Sequence, residues 1–213
     1  NSHPLTLSIC IMFTGITQAL GTIRTKDQSS FGAVFSFTSL DIDFSDVDIG
    51  DSISVNGVCL TVIEVGEDYF KADISKETID CSTFDSLKIN DNVNLEKALR
   101  INQGIDGHLV SGHVDGVATV MDIFAEGDST RYKIKAPMSL VKYIAKKGSV
   151  CINGVSLTVN SIYEDVFDIN IVPHTMNVTN LGQLEISDCV NIEVDIIARH
   201  LEQLLKSNII NNK

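Results

Sequence analysis

The 213-residue chain reads as an all-β protein made of two copies of one small barrel or sandwich, followed by a single helix. Three observations predict this. The strings SVNGVCLTV (54–62) and CINGVSLTV (151–159) stand 97 residues apart. Short β-branched, partly alternating runs, divided by turn residues, flank the first string. The last stretch, from Asp195 onward, carries a clear helical periodicity instead.

With the 97-residue offset held fixed, Gly15 falls on Gly112, Thr22 on Thr119, Phe70 on Phe167, Ile74 on Ile171 and Thr78 on Thr175. Leu87, Ile89, Asp91, Val93, Asn94 and Glu96 fall on Leu184, Ile186, Asp188, Val190, Asn191 and Glu193. About 20 of roughly 85 positions match without a gap, where chance gives about 6%. A unit this long implies two similar domains rather than a solenoid array.

Strands are expected around 33–39, 52–55, 58–65, 69–75 and 92–96. Gly50-Asp51, Asn56-Gly57 and Gly66-Glu67-Asp68 separate them. Asn56-Gly57 and its mate Asn153-Gly154 suit two-residue hairpin turns, whose central positions need positive φ. Five or six short strands per repeat fit a closed barrel or a sandwich. Leu140, Val141 and Ile144 predict a short helix near Ser139–Lys146. In the tail, Ile197, Leu201 and Leu204 recur at steps of four and three, and Ala198, Leu201 and Leu205 at three and four. The first repeat has no such helix and leads into RINQGIDG. The tail helix either caps its own domain or packs against the same helix in other subunits.

Composition narrows the function. Sixteen Lys and Arg against 28 Asp and Glu leave a net charge of −12. That opposes a nucleic-acid footprint or an anionic membrane surface as partner. No apolar run approaches the roughly 18 residues of a membrane span. The stretch NSHPLTLSICIMF lacks the cationic and sustained apolar regions of a signal peptide. The five cysteines (Cys10, Cys59, Cys81, Cys151, Cys189) form no C-x-x-C and read as reduced thiols of a cytoplasmic protein. Neither a dinucleotide fingerprint nor a P-loop nor a G-x-S-x-G elbow is present.

On the strand after the first hairpin turn, Val58, Leu60 and Val62 share one face, and Cys59 and Thr61 the other. Val155, Leu157 and Val159 repeat the apolar face, and Ser156 and Thr158 the polar one. A small barrel takes the apolar set inside, which leaves an outward strip of thiol and hydroxyl groups able to hydrogen-bond a polar ligand. An ordinary solvated face has the same pattern. GHLVSGHVDG (107–116) holds two histidines five apart, on opposite faces of a strand, so joint metal ligation is not expected. The repeats differ where side chains are reactive. His113 stands for Ile16, Ser156 for Cys59, His174 for Glu77 and Asp195 for Ala98. Duplicated sites with different roles produce this, and so does neutral drift.

MFTGI (12–16), NGVCLTV, NGVSLTV, KET (76–78), GHLVSGHVDG and NIEVD (191–195) together resemble the riboflavin synthase family, from Met12 to about Lys206. The resemblance implies two tandem six-stranded Greek-key β-barrels and a C-terminal α-helix, assembled as a homotrimer. The active site would lie between the N-terminal barrel of one subunit and the C-terminal barrel of the next. The implied division is an N-terminal lumazine-binding barrel at 12–108, a C-terminal one at 109–194 and a trimerisation helix at 195–208. Residues 1–11 are read as an expression remnant or upstream extension. The implied reaction is the dismutation of two molecules of 6,7-dimethyl-8-ribityllumazine. A four-carbon unit passes between them and gives riboflavin and 5-amino-6-ribitylaminouracil. No metal or organic cofactor is implied, nor a nucleic-acid or membrane partner. A cytoplasmic location and an association with lumazine synthase are.

By resemblance, the N-barrel pocket takes Phe13, Gly15, Ile16, Thr17, Cys59, Leu60, Thr61 and the stretch Asp73, Ile74, Ser75, Lys76, Glu77, Thr78. The C-barrel pocket takes Gly112, His113, Val114, Lys147, Ser156, Leu157, Thr158 and the stretch Val172, Pro173, His174, Thr175, Met176, Asn177. His113 is the candidate proton shuttle. Cys59 and Ser52 are candidate nucleophiles or activators, and Asp195 an orienting group or proton acceptor. His174 departs from the acidic residue common at the family position, which bears on ribityl binding by the C-barrel. The alternative on this fold is a non-catalytic lumazine- or flavin-binding antenna protein, in which motifs are eroded in one half. Here Ser52, Cys59, His113, Ser156, Thr158 and Asp195 are all kept.

Overall fold

The computed structural model describes residues 12–211, with side chains described as far as Lys206. The reading of residues 1–11 falls outside the described residues. The first repeat forms β1 (Ala19–Ser29), β2 (Gly32–Thr38), β3 (Ser52–Val55), β4 (Val58–Val65), β5 (Tyr69–Ser75), α1 (Lys76–Cys81) and β6 (Asn92–Lys97). The second forms β7 (Gly116–Glu126), β8 (Ser129–Lys135), β9 (Ser149–Ile152), β10 (Val155–Tyr163), β11 (Val166–Ile171), α2 (Pro173–Val178) and β12 (Cys189–Val194). Helix α3 (Ile196–Asn211) follows.

Each set of six strands closes into an antiparallel barrel, in the order β1-β2-β5-β4-β3-β6 and, identically, β7-β8-β11-β10-β9-β12. In each, three hairpin-connected strands are joined by a fourth that returns beside the first of them, which is the Greek key. Closure selects barrel over sandwich, because β1 pairs with both β2 and β6 and leaves no edge. The hairpins form where Asn-Gly permits them. Asn56 and Gly57 adopt φ of 48° and 81°, and Asn153 and Gly154 46° and 81°. Bulges recur at matching places, between Val62 and Glu64 and between Val159 and Ser161. They bend the strands and help a six-stranded sheet to close.

The interiors differ in chemistry. The first barrel is filled by Phe35, Phe37, Phe44, Phe70 and Phe84 in tilted and edge contacts. In the second, Tyr132 replaces Phe35, and its hydroxyl donates to Leu181 O at 2.9 Å, which satisfies a buried polar group.

Five elements depart from the sequence expectation. β1 and β7 were not anticipated, because their alternation fades in the outer half, where they run beyond the core as an exposed hairpin arm. The helix expected near Ser139–Lys146 is a single 3₁₀ turn, Val141–Tyr143. Leu140 and Ile144 are both buried in the barrel core, and Ile144 is already extended on the way into β9, so the turn stops. The short helices α1 and α2 were also unforeseen.

Helix α3 starts at Asp195, whose Oδ1 accepts from Ile197 N at 2.9 Å as an N-cap does. Its polar side is tied to its own barrel. Arg199 pairs with Asp115, and Glu202 takes both Lys142 and the Tyr143 hydroxyl. Ile197, Leu201, Leu204 and Leu205 stand exposed. Among the described residues, no helix is long and apolar enough to cross a membrane.

Candidate functional site

The outward strips form as strand alternation requires. On β4, Val58, Leu60 and Val62 are buried, while Cys59 is half-buried and Thr61 exposed. On β10, Val155 and Val159 are buried and Leu157 packs against the core, while Ser156 is half-buried and Thr158 exposed.

Each strip is met by the leading segment of the other repeat. Gly112 O accepts from Cys59 N at 2.8 Å, and Gly15 O from Ser156 N at 2.7 Å. Phe13 and Val110 exchange both backbone bonds, at 2.7 and 3.1 Å. These partners are images of one another under the 97-residue offset, so a pseudo-twofold axis runs between the barrels. The approach requires glycine. Gly15 and Gly112 have φ of +77° and +75°, and a Cβ on Gly112 would stand 2.6 Å from Cys59 Cβ. Within one chain, Gly15 and its neighbours therefore lean on the C-barrel strand. Gly112 leans on the N-barrel strand, and Val114 packs against the N-barrel core. Phe13 is wholly buried at this interface, Ile16 is exposed, and the Thr17 hydroxyl is buried without a hydrogen-bond partner.

Two buried carboxylates hold these segments. Glu96 accepts from Thr14 N (2.7 Å), Thr14 Oγ1 (2.8 Å) and Gly15 N (3.1 Å). Glu193 accepts from Ser111 N (2.7 Å), Ser111 Oγ (2.7 Å) and Gly112 N (3.0 Å). Burial raises both carboxyl pKa values, and these hydrogen bonds pull back against it. Amides reinforce the interface. Asn94 Nδ2 donates to Asn153 O at 2.8 Å, and Asn191 Nδ2 to Asn56 O at 2.9 Å.

The chemistry of the strips is unequal. Ser156 Oγ lies 2.6 Å from His108 Nδ1. Burial lowers the His108 pKa below the ordinary histidine value, opposed by the nearby Asp195 charge. The imidazole is therefore neutral near pH 7 and able to accept a proton. On the other strip, burial pushes the Cys59 thiol up, the Ser52 hydroxyl opposes this, and Glu193 adds to it. Cys59 thus rests as a thiol. Ser52 is buried on the adjoining strand β3, where it pairs in the ladder with Thr61. His113 lines a cavity of about 200 Å³ with Ser111, Glu193, Arg199 and His200. Its image, of about 250 Å³, is lined by Thr14, Ile16, Gln18 and Glu96.

The remaining expected residues flank the strips. Asp73, Ser75, Lys76 and Glu77 are exposed where β5 runs into α1, while Ile74 is buried. Ser75 caps α1 by accepting from Thr78 N at 3.1 Å, and Lys76 pairs with Asp80. At α2, Val172, Pro173, His174 and Asn177 are exposed, and Thr175 and Met176 half-buried. Pro173 begins the helix, where its missing N–H costs nothing. Lys147 is exposed beside the end of the C-barrel strip, its amide donating to Val159 O at 2.7 Å.

Sequence reasoning missed His108 and the two glutamates. The glutamates were visible as an identity between repeats. His108 stood in a string already singled out, but its partner Ser156 is 48 residues away.

Paired Greek-key barrels with outward hydrogen-bonding strips define a duplicated small-molecule-binding barrel protein. The family model described as lumazine binding domain matches at residues 14–98 and again at 111–195, and the chain belongs to that family. Riboflavin synthase of Photobacterium leiognathi is 44% identical over 92% of this chain and 89% of its own length. Riboflavin synthase of Bacillus subtilis (strain 168) is 37% identical over 91% and 90%. Among solved structures, LumP complexed with riboflavin superposes with a TM-score of 0.80 at 32% identity, over 86% of this chain and 99% of that one. LumP complexed with 6,7-dimethyl-8-(1'-D-ribityl) lumazine gives 0.77 at the same identity.

Proposed function

We propose that the chain catalyses the riboflavin synthase reaction, the dismutation of two molecules of 6,7-dimethyl-8-ribityllumazine. The observation that carries this is a symmetric pair of strips furnished with different reactive groups. Cys59 stands on one, with buried Ser52 on the strand beside it, and Ser156 with His108 on the other. Two identical substrates need matching cradles, and the reaction needs them to become a donor and an acceptor. His108 takes a proton, from the Ser156 hydroxyl or from substrate, and Asp195 steadies the imidazolium that results. His113 remains a second proton shuttle at the edge of its cavity. Exposed Thr61, Thr158, Glu77 and His174 suit ribityl hydroxyls, and backbone groups where β5 runs into α1 and β11 into α2 suit the pyrimidine edge. Holding the two molecules face to face supplies much of the acceleration, because orientation alone is worth a large effective molarity.

Thr61 and Thr158 are exposed on their strips, and a neighbouring subunit would enclose substrates held there. Exposed Ile197, Leu201, Leu204 and Leu205 on a helix already clamped to its own barrel favour a homotrimer joined through α3. The free cysteines favour a reducing, cytoplasmic compartment. Association with lumazine synthase rests on the family resemblance and is tested by co-sedimentation.

The second reading is a lumazine-binding antenna, favoured by the likeness to LumP. One experiment separates the two. Protein is mixed with 6,7-dimethyl-8-ribityllumazine alone, and riboflavin absorbance is followed. Riboflavin formation is expected, whereas stable lumazine fluorescence without riboflavin would favour the antenna. A solution mass three times the 23.2 kDa chain is expected, and a monomer would undercut the shared site.

A further inference from the structure

A groove of about 380 Å³ straddles the pseudo-twofold axis, and its lining includes none of Cys59, Thr61, Ser156 or Thr158. Its residues come in pairs under the 97-residue offset, among them Asn56 with Asn153, Thr83 with Asn180 and Asn92 with Cys189. The backbone obeys this symmetry. Thr83 N donates to Asn191 Oδ1 at 2.8 Å, and its image Asn180 N to Asn94 Oδ1 at 2.8 Å. The side chains break it. Asn180 Nδ2 donates to Asn56 Oδ1 at 3.0 Å and to Asn92 O at 3.2 Å. Its Oδ1 accepts from Asn94 Nδ2 at 2.9 Å, and Asn153 Nδ2 stands 3.5 Å away. Thr83 holds the image place with a side chain that ends one bond earlier and carries no amide. Its half of the groove therefore keeps spare hydrogen-bonding capacity. Asn56 is 2% exposed, yet among the described residues its Nδ2 has no hydrogen-bond partner. Asn153 Oδ1 accepts from Asn191 N alone, at 2.8 Å, where Asn56 Oδ1 accepts from both Asn94 N and Asn180 Nδ2. Asn191 Nδ2 donates to Asn56 O alone, where Asn94 Nδ2 serves two acceptors. Unmet capacity on buried amides is costly, and the symmetry aims all three groups at the place beside Thr83.

We propose that this half of the groove binds a primary carboxamide, seated beside Thr83 as the Asn180 side chain is seated in the other half. The ligand nitrogen donates to Asn153 Oδ1 and Cys189 O, the images of Asn56 Oδ1 and Asn92 O. The ligand oxygen accepts from Asn191 Nδ2 and Asn56 Nδ2, the images of Asn94 Nδ2 and Asn153 Nδ2. This pattern selects the class. A carboxylate sets an oxygen against two acceptors, and an amidinium sets an N–H against two donors. A buried site built to pair each group of one ligand rejects an analogue that leaves a group unpaired. The ligand joins the Asn56 turn of one barrel to Asn153 and Asn191 of the other, so its binding stabilises their pairing. The inference is independent of the reaction proposed above.

The test is saturation-transfer NMR on the full chain, with acetamide, acetate and acetamidinium as probes. Acetamide is expected to bind saturably with a Kd in the millimolar range, as suits so few atoms, and the two charged isosteres at least about tenfold more weakly. Thr83→Asn supplies the amide from the chain itself. It is expected to weaken acetamide binding at least about tenfold and to raise Tm by about 2–4 °C. Thr83→Ala adds no amide and is expected to bind acetamide within about threefold of the parent. Asn180→Ala opens the image place, and acetamide is expected to raise its Tm more than the parent's. Equal binding of the three probes overturns the proposal, as does acetamide binding that Thr83→Asn leaves unchanged. No saturable binding up to about 100 mM acetamide means that the groove holds solvent only, and overturns it too. Should Thr83→Asn fail to fold, Asn180→Ala decides, and stabilisation by acetamide no greater than the parent's refutes the site.

Discussion

Cys59 and Ser156 occupy equivalent strand positions, and each is pressed by a glycine carbonyl from the opposite repeat. What separates them is the group beneath each. Cys59 has a buried acid and a hydroxyl nearby, and its proton is held tightly. Ser156 has an imidazole whose proton affinity is reduced by burial. Cys59→Ser is expected to slow turnover more than it weakens lumazine binding, measured as kcat against Kd, and a full-rate variant would reject a thiol role. His108→Gln fills the same space without a base. Its kcat is expected to fall by about 10²–10⁴-fold with binding largely kept. Because the His108 pKa is lowered, the base is lost only as pH falls beneath the ordinary histidine range. An acid limb of the kcat profile at or above that range would contradict this role.

At the scale of elements, the segments 13–17 and 110–114 matter more than any strand, because they decide which surfaces the two barrels share. Gly112→Ala must place a methyl against Cys59 Cβ at 2.6 Å and hold φ of +75°. A destabilisation of about 1–3 kcal/mol is expected in urea titration, with reduced activity in the folded fraction. Helix α3 was legible as amphipathic, but the sequence left open whether its apolar residues faced inward or outward. The structure turns Arg199 and Glu202 to the barrel and Leu201, Leu204 and Leu205 away from it. Leu201→Asp combined with Leu204→Asp is expected to yield a folded monomer, read by sedimentation, with little lumazine turnover.

For the molecule as a whole, acid acts in opposite directions on its two kinds of contact. Glu96 and Glu193 bind protons more tightly folded than unfolded. Their contribution to stability is full below the ordinary glutamate value and is lost as pH rises through the raised folded one. Glu202 is lowered to about 2 by Lys142, Tyr143 and Lys206. Its contribution is present above the ordinary value and is lost as pH falls toward about 2. On acidification α3 should therefore release before the barrels part, seen as hydrogen exchange in α3 preceding exchange in β4 and β10; simultaneous loss would contradict this. The sequence by itself determined the duplication, the Asn-Gly hairpins, the inward and outward faces of β4 and β10 and the tail helix. Each of these depends on residues adjacent in the chain or on period-two and helical repetition. Only the tertiary structure decided the crossing of the leading segments, the Glu96 and Glu193 cages and the pairing of His108 with Ser156. These join residues 48 to 141 positions apart, where no local pattern acts and the fold alone sets who meets whom.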